Sequence, residues 1–248
     1  MKSIKESKAK ENKRSLDDFT VGLKQGIPVM MGYIPVSFTF GLLAVQGGID
    51  PWTAVLISMT NLTSAGQFAG MNLIIANASL MEISAAMFVI NMRYMLMSLS
   101  LSQKLEPMIS LFKRSAIAFG ITDEIFAIAS LEKRVITFPY MMGLIFAPYW
   151  GWALGTFLGA VTTSLLPPLL QNSMGIALYA MFIALLVPAA KQSKPALVVI
   201  LIAVLMSSIF RWMPVFQQIS SGWAIIISAV SASFIGAILY PREVDPIE

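Results

Sequence analysis

The sequence predicts an all-α fold, a polytopic transmembrane helical bundle of about seven or eight segments. Of the 248 residues, 57% are hydrophobic and 12% are charged, whereas about a quarter of an ordinary soluble domain is charged. Residues 25–49, 51–81 and 135–190 contain no Asp, Glu, Lys or Arg. Each run exceeds the roughly 20 residues that a helix needs to cross a bilayer, so these observations exclude a water-soluble fold.

The chain begins with a basic tail. Seven Lys and Arg residues precede the first apolar run: Lys2, Lys5, Lys8, Lys10, Lys13, Arg14 and Lys24. Such an excess is typical of the cytoplasmic side of a membrane protein, and no aromatic or DNA-reading motif accompanies it to suggest a nucleic-acid partner. We predict a cytoplasmic tail at 1–24, one transmembrane domain at 25–241 and a short cytoplasmic tail at 242–248. The expected location is a bacterial-type cytoplasmic membrane, with lipid around the bundle.

The elements after the tail are separated by polar and Pro/Gly-rich breaks. Asp50 before Pro51 predicts a helix that begins at Pro51 with an aspartate N-cap. The basic residues near 133, 191, 194 and 242 fit the inside if the second half crosses four times. The first half must then cross an even number of times, although it shows three obvious apolar runs. Either one segment is re-entrant, or residues 115–131 also span the membrane.

Two stripes of small residues predict close helix packing. The longer comprises Gly143, Ala147, Gly151, Gly155 and Gly159, and the shorter comprises Ser228, Ala232 and Gly236. A loose recurrence of residues 90–94 at 209–212 favours two pseudo-symmetric halves with broken or re-entrant helices, an arrangement that places substrate sites between the halves.

A polar stretch at 61–70 interrupts an apolar run that is long enough to span. Its candidate binding residues are Asn61, Ser64, Gly66 and Gln67. In a locally opened helix, backbone amides and carboxamides can hold the carboxylate and ammonium of a zwitterion. The alternative is a helix-packing motif through the glycines, with Gln67 bonded to a neighbour.

A single arginine, Arg93, lies in the otherwise uncharged run 83–103, two residues after the polar Asn91. An intramembrane arginine costs at least about 2.5 kcal/mol on insertion scales, so it faces a partner or a polar cavity. Arg93 either receives a substrate carboxylate, with Asn91 nearby, or pairs permanently with an acid such as Asp123. Arg211 can reach an interface beside Trp212.

Two adjacent acids, Asp123 and Glu124, lie in an otherwise apolar or small stretch. A carboxylate inside a bundle can carry a proton through a transport cycle, so both are candidate proton-coupling residues, Asp123 foremost. The alternative for Glu124 is a capped and solvated loop acid.

The composition also restricts the chemistry. The chain contains no Cys and no His, which excludes disulfides, thiol nucleophiles and most zinc sites. The acids do not form the pair that an aspartyl mechanism requires, and there is no phosphate-binding Gly-rich motif. We expect no catalytic activity, no cofactor and no metal, and a gradient rather than nucleotide hydrolysis as the energy source.

Four motifs in order resemble the AzlC family of branched-chain amino acid exporters: residues 26–41, Ala-Gly-Gln-Phe at 65–68, Asn-Met-Arg-Tyr at 91–94 and Thr-Asp-Glu-Ile-Phe at 122–126. The resemblance is strongest from 26 to 126. The family more often has a histidine where this chain has Tyr94. The resemblance implies a cytoplasmic-membrane exporter of leucine, isoleucine, valine and similar apolar amino acids, with a small hydrophobic AzlD-type partner subunit. Because the chain has no nucleotide-binding motif, we expect export by a proton-driven secondary mechanism that uses Asp123. The alternative is a non-transport membrane assembly or sensory subunit.

Overall fold

The computed structural model describes residues 2–107, 109–165, 167, 183, 186–187, 190–191, 193–216 and 218–241, with residues 2–14 and 164 described by backbone alone. The described part contains nine α-helices, confirming the all-α prediction: α1 Lys2–Gln46, α2 Pro51–Thr60, α3 Ala65–Ile75, α4 Leu80–Ser102, α5 Leu111–Phe119, α6 Asp123–Leu131, α7 Phe138–Thr162, α8 Lys194–Trp212 and α9 Ser221–Leu239. The predicted tail 242–248 lies outside the described residues.

Five of these helices are long and apolar enough to cross a membrane. They are α1 from Ser15, α4, α7, α8 and α9. The other four are short, between 9 and 11 residues, which at 1.5 Å per residue is too little to cross a core of about 30 Å. The short helices come in two pairs, α2 with α3 and α5 with α6, and each pair is interrupted by a few non-helical residues. The chain is therefore a helical membrane protein with two broken helical segments.

The described residues divide into two compact units. Unit 1 contains the described residues within 1–67 and 92–175, and unit 2 contains those within 68–91 and 176–248. Helix α3 contributes its first turn to unit 1 and its remainder to unit 2, and α4 is likewise divided near its middle.

Helices α1 and α7 form the centre of unit 1. Near the start of the α1 span, a Cβ atom added at Gly143 would collide with the carbonyl oxygen of Phe19. Farther along both helices, a Cβ atom added at Gly159 would collide with the carbonyl oxygen of Phe38. Because the contact advances in the same direction on both helices, they run parallel. The stripe predicted at 143–159 is buried, and its glycines let the two backbones touch.

Helices α5 and α6 form a re-entrant hairpin. The segment before α5 and the segment after α6 pair with each other: the amide of Glu106 donates to the carbonyl of Ile136 at 2.9 Å, and the amide of Ile136 donates to the carbonyl of Lys104 at 3.0 Å. The pair therefore enters and leaves unit 1 at one end, the end where Asp18 of α1 accepts a hydrogen bond from Thr137. Residues 115–131 therefore do not span, which leaves the other alternative, a re-entrant segment among the three apolar runs of the first half.

The tip of this hairpin lies deep in unit 1. It consists of residues 120–122, and a Cβ at Gly120 would collide with the side chain of Ile145, two turns into α7. The hairpin is held by an apolar cluster that includes Leu101, Ile117 and Ile125. Burial of this cluster against α4 and α7 stabilises two helices that are individually too short to be stable.

Helix α2 approaches from the opposite end. Asp50 caps it by accepting from the amides of Trp52 and Thr53, so the predicted start at Pro51 is confirmed. The ring of Trp52 lies 5.9 Å from that of Phe157, whereas the carbonyl of Met59 accepts from Tyr149. Helix α2 therefore runs antiparallel to α7 and ends at Thr60, near the middle of α7, where the interruption at 61–64 follows.

In unit 2, α9 packs through small residues and receives a carboxylate at its amino terminus. Its buried residues are Gly222, Ser228, Ala232 and Gly236, which confirms the shorter predicted stripe. The Oε1 atom of Glu82 accepts from the hydroxyl of Ser220 at 2.5 Å and from the amide of Gly222 at 2.8 Å. Glu82 thus caps α9 from another helix, where the helix dipole favours a negative charge.

Candidate functional site

The candidate site lies where the two interrupted segments of unit 1 end, beside Arg93. The Nη1 atom of Arg93 is 3.0 Å from Oδ2 of Asp123, the first residue of α6. The side chains are 40% and 36% exposed, so the ion pair is open on one side. The structure thus brings together two predicted residues, in the pairing that the sequence offered as one of two alternatives for Arg93.

Tyr94 connects Arg93 to the first interruption. Its hydroxyl accepts from Nη2 of Arg93 at 3.0 Å and donates to the carbonyl oxygen of Thr63 at 3.2 Å. The guanidinium carbon lies 4.9 Å from the centre of the Tyr94 ring. One cation therefore reaches both interruptions, Asp123 by direct pairing and Thr63 through the tyrosine hydroxyl.

Arg93 has a buried donor without a partner among the described residues. This donor is its Nε atom. A buried donor without an acceptor costs about 1–3 kcal/mol. A planar acceptor such as a carboxylate can take two N–H groups of a guanidinium at once, so the geometry suits a carboxylate ligand.

The second acid, Glu124, is bound by a tyrosine that the sequence did not single out. The Tyr33 hydroxyl lies 2.7 Å from Oγ1 of Thr122 and 2.5 Å from Oε2 of Glu124. Thr122 is also the N-cap of α6, accepting from the amide of Ile125. Tyr33 therefore holds the tip of the α5–α6 hairpin through two adjacent groups. Glu124 is an intramolecular partner, and not the solvated loop acid of the alternative interpretation.

The polar residues at 61–66 form the end of α2 and the start of α3. The Oδ1 atom of Asn61 accepts from the hydroxyl of Thr63 at 2.6 Å, and the amide of Gly66 donates to the carbonyl of Thr63 at 3.3 Å. Ser64 has φ of 49°, a left-handed conformation that costs about 1–2 kcal/mol in a non-glycine residue. The predicted local opening of the helix is thus present.

Gln67 makes internal hydrogen bonds with both ends of its amide. Its Nε2 donates to Oγ of Ser58 at 2.5 Å, and its Oε1 accepts from Nε1 of Trp152 at 3.0 Å. Ser58 is in turn 2.7 Å from Oγ1 of Thr156. Gln67 is 1% exposed. These contacts fit the packing alternative, in which Gln67 joins α2, α3 and α7.

Two other predicted residues lie in unit 2. The Oδ1 atom of Asn91 is buried without a hydrogen-bond partner among the described residues. Arg211 lines a surface cavity of about 470 Å³ with Ser207, Ser220 and Ser221.

The loop after α6 contains a second arginine pair, which serves as a comparison. Nε of Arg134 lies 3.2 Å from Oε1 of Glu132. The hydrogen bond from Arg134 holds the pKa of Glu132 below its ordinary value. This pair lies outside the spanning helices and joins neighbours in the sequence, so it is local, whereas the Arg93–Asp123 pair joins two separate helices.

Comparisons with known proteins place this chain in a family. Residues 28–166 match the model of the AzlC protein family. The chain is 31% identical over 188 residues to "Inner membrane protein YgaZ" of Escherichia coli K12, covering 73% of this chain and 76% of that protein. It is 34% identical over 180 residues to an uncharacterized membrane protein of Archaeoglobus fulgidus, covering 70% and 76%.

A third relative is an uncharacterized membrane protein of Helicobacter pylori 26695, 26% identical over 205 residues, covering 79% of this chain and 89% of that protein. No solved structure matches the chain. The match to residues 28–166 contains both interrupted segments and the Arg93 pair. The chain therefore belongs to the AzlC family.

Proposed function

We propose that this chain is a secondary transporter that exports leucine, isoleucine, valine and similar apolar amino acids, including methionine, across the cytoplasmic membrane in exchange for protons. The ion pair between Arg93 and Asp123, 3.0 Å apart and partly exposed, is the observation that carries the proposal.

The pair has the charges that an amino acid needs. A zwitterion carries one carboxylate and one ammonium, the counterparts of Arg93 and Asp123. Inserted between them, its carboxylate would bind the guanidinium, including the unpartnered Nε, and its ammonium would bind Asp123. No charge would then lose its partner, and losing one is the main cost of placing ions inside a membrane protein.

The same pair suggests how export is coupled. A proton on Asp123 removes the partner of the substrate ammonium, so proton and substrate compete for one carboxylate. Mutually exclusive binding is what the exchange of outward substrate for inward protons requires. Glu124 remains in the proposal as a second proton carrier, because it adjoins Asp123 and its Oε2 atom lies 2.5 Å from the hydroxyl of Tyr33.

An apolar cluster next to the tips suits an aliphatic side chain. It contains Tyr33, Leu62 and Trp152, with Val29 and Val36 packed against them. Leu62 belongs to the interruption at 61–64, which forms the second tip, and Tyr33 contacts Thr122 in the tip of the α5–α6 hairpin. Asn61, Ser64 and Gly66 complete the proposed substrate site in unit 1. We assign Gln67 a bracing role there, and we propose a small hydrophobic AzlD-type subunit as partner.

Efflux of preloaded labelled leucine, valine and methionine tests the proposal, in cells with and without this chain and an AzlD-type subunit. Arg93→Ala should lower saturable efflux at least about tenfold, the scale of a lost charge-assisted bond. Arg134→Ala removes the arginine of the loop pair and should leave efflux unchanged. Efflux that is equal with and without this chain would exclude the proposed substrates and favour a non-transport subunit.

Two further measurements separate recognition from coupling. Leucinamide lacks the carboxylate and N-acetyl-leucine lacks the ammonium, so each should compete with leucine at least about tenfold more weakly. Asp123→Asn should abolish the dependence of export on the pH gradient. Unchanged pH-dependent export by this variant would exclude Asp123 as the coupling residue.

A further inference from the structure

The two interruptions of unit 1 are held by two tyrosines in a reciprocal arrangement. Tyr33 of α1 binds the side chain of Thr122, in the tip of the α5–α6 hairpin. Tyr94 of α4 binds the carbonyl of Thr63, in the interruption that follows α2. Each tyrosine thus contacts a threonine in the broken segment that follows the other tyrosine's helix. The ion pair of Arg93 with Asp123 does not by itself explain this crossed arrangement of the two tyrosines.

The sequences around the two tyrosines correspond. Residues 31–40 read Met-Gly-Tyr-Ile-Pro-Val-Ser-Phe-Thr-Phe, and residues 92–101 read Met-Arg-Tyr-Met-Leu-Met-Ser-Leu-Ser-Leu. Met, Tyr and the first Ser are identical, and the positions around that Ser keep their apolar or hydroxyl character. The tips correspond as well, Leu62-Thr63 with Ile121-Thr122, and both Leu62 and Ile121 are 4% exposed.

The corresponding segments run in opposite directions. Tyr94 lies at the level of the tips, where it binds the carbonyl of Thr63. The carbonyl of Lys104, just after the end of α4, accepts from the amide of Ile136, whose neighbour Thr137 bonds Asp18 near the start of the α1 span. Helix α4 therefore returns toward the end where α1 begins. The α5–α6 hairpin enters from that end, and α2 enters from the other. Opposed copies of a helix followed by a broken segment are the arrangement of inverted-repeat transporters.

We propose that 31–67 and 92–126 are inverted repeats and that Tyr33 and Tyr94 are the latches of two opposite gates, an inference that rests on the proposed transport function. Release of Thr122 by Tyr33 frees the α5–α6 tip and opens the site toward the amino-terminal end of α1. Release of Thr63 by Tyr94 frees the other tip and opens the site toward the opposite end. The repeats differ where Arg93 and Asp123 correspond to Gly32 and Ser64, so the charge pair occurs in one repeat only.

The absence of cysteine from the sequence makes this testable with single thiols. Ile121→Cys and Leu62→Cys place matched, equally buried probes in the two tips. Each is combined with Tyr33→Phe and with Tyr94→Phe in the full chain, and a membrane-impermeant maleimide is added from either side of sealed vesicles. Tyr140→Phe is the control, because its hydroxyl bonds Gln25 on α1 and neither Thr63 nor Thr122.

Tyr33→Phe should raise the labelling rate of the Ile121→Cys thiol severalfold, up to about tenfold as for one lost hydrogen bond, and leave the Leu62→Cys thiol unchanged. Tyr94→Phe should do the reverse, with labelling from the opposite side. If both phenylalanine variants expose the same thiol, or neither exposes one, the latches are refuted. Labelling needs no substrate, so a reciprocal pattern without leucine export would refute only the proposed substrates, and leucine export without the pattern would refute only the latches.

Discussion

Arg93 and Asp123 lie on different helices of unit 1, and their charged atoms are 3.0 Å apart. The aspartate belongs to a hairpin that does not cross the membrane, so the pair ties a re-entrant element to a spanning helix. An ion pair of this kind fixes a geometry more than it adds stability, because much of the Coulomb energy is spent on desolvation. Its position beside both tips makes it a suitable place for a zwitterionic ligand.

The stability of the pair can be measured with a double-mutant cycle. Arg93→Ala or Asp123→Asn alone leaves one charge without its partner and should lower the free energy of unfolding by about 1–2 kcal/mol, a value reduced for the partial exposure of both side chains. The double variant should lose less than the sum of the two. Thermal unfolding in detergent gives the coupling, and strict additivity would show that the two groups do not interact.

Replacing Gln67 separates bracing from binding. Gln67→Leu removes the acceptor for Trp152 and the donor to Ser58. Because this leaves buried polar groups without hydrogen bonds, we expect the free energy of unfolding to fall by about 2 kcal/mol. The leucine KM of the remaining folded protein should change less than about twofold, because the amide is already occupied. Thermal unfolding measures the loss of stability, and efflux kinetics measure the KM. Gln25→Leu, which removes one bond to Tyr140, is the control, and a large rise in KM for Gln67→Leu alone would restore Gln67 to the substrate site.

The contact between α1 and α7 predicts a sharp difference between two glycines. Gly143→Ala would place a methyl group against the backbone of Phe19, so the helices must separate, at a cost of about 3 kcal/mol. Gly32→Ala meets no atom within 4 Å and lies inside a helix, so it should stabilise the protein by about 0.5–1 kcal/mol. Yield of folded protein and melting temperature measure both. Equal tolerance of the two alanines would contradict the parallel backbone contact.

The cap on α9 predicts that charge matters less than the acceptor at position 82. Glu82→Ala leaves the hydroxyl of Ser220 and the amide of Gly222 without their acceptor, so we expect a loss of about 1–2 kcal/mol. Glu82→Gln keeps an acceptor oxygen and should recover at least half of that loss. Glu106→Ala, at an exposed position, is the control in the same unfolding assay and should leave stability nearly unchanged. Glutamine no better than alanine would show that the charge itself stabilises the helix terminus.

The composition and the order of motifs already predicted much of the site. Arginine and adjacent acids in apolar stretches are costly in a membrane, so Arg93, Asp123 and Glu124 could be selected without knowing their positions. The opening of the helix near Asn61 followed from polar and glycine residues in a run that was otherwise long enough to span. Tyr33 was missed because a tyrosine in an apolar helix is unremarkable by composition. The matching spacing of methionine, tyrosine and serine at 31–37 and 92–98 was the available signal.

The sequence by itself determined that the chain is a helical membrane protein, because solvent preference is a property of composition that needs no contacts. Tertiary structure alone decided that α5 and α6 return to the end from which they entered, since this depends on the pairing of Glu106 with Ile136 and not on hydropathy. It also decided which groups meet: Tyr33 and Glu124 are 91 positions apart, and local patterns of period 3.6 carry no information about distant partners. Packing of α1 against α7 fixes the level at which those partners lie.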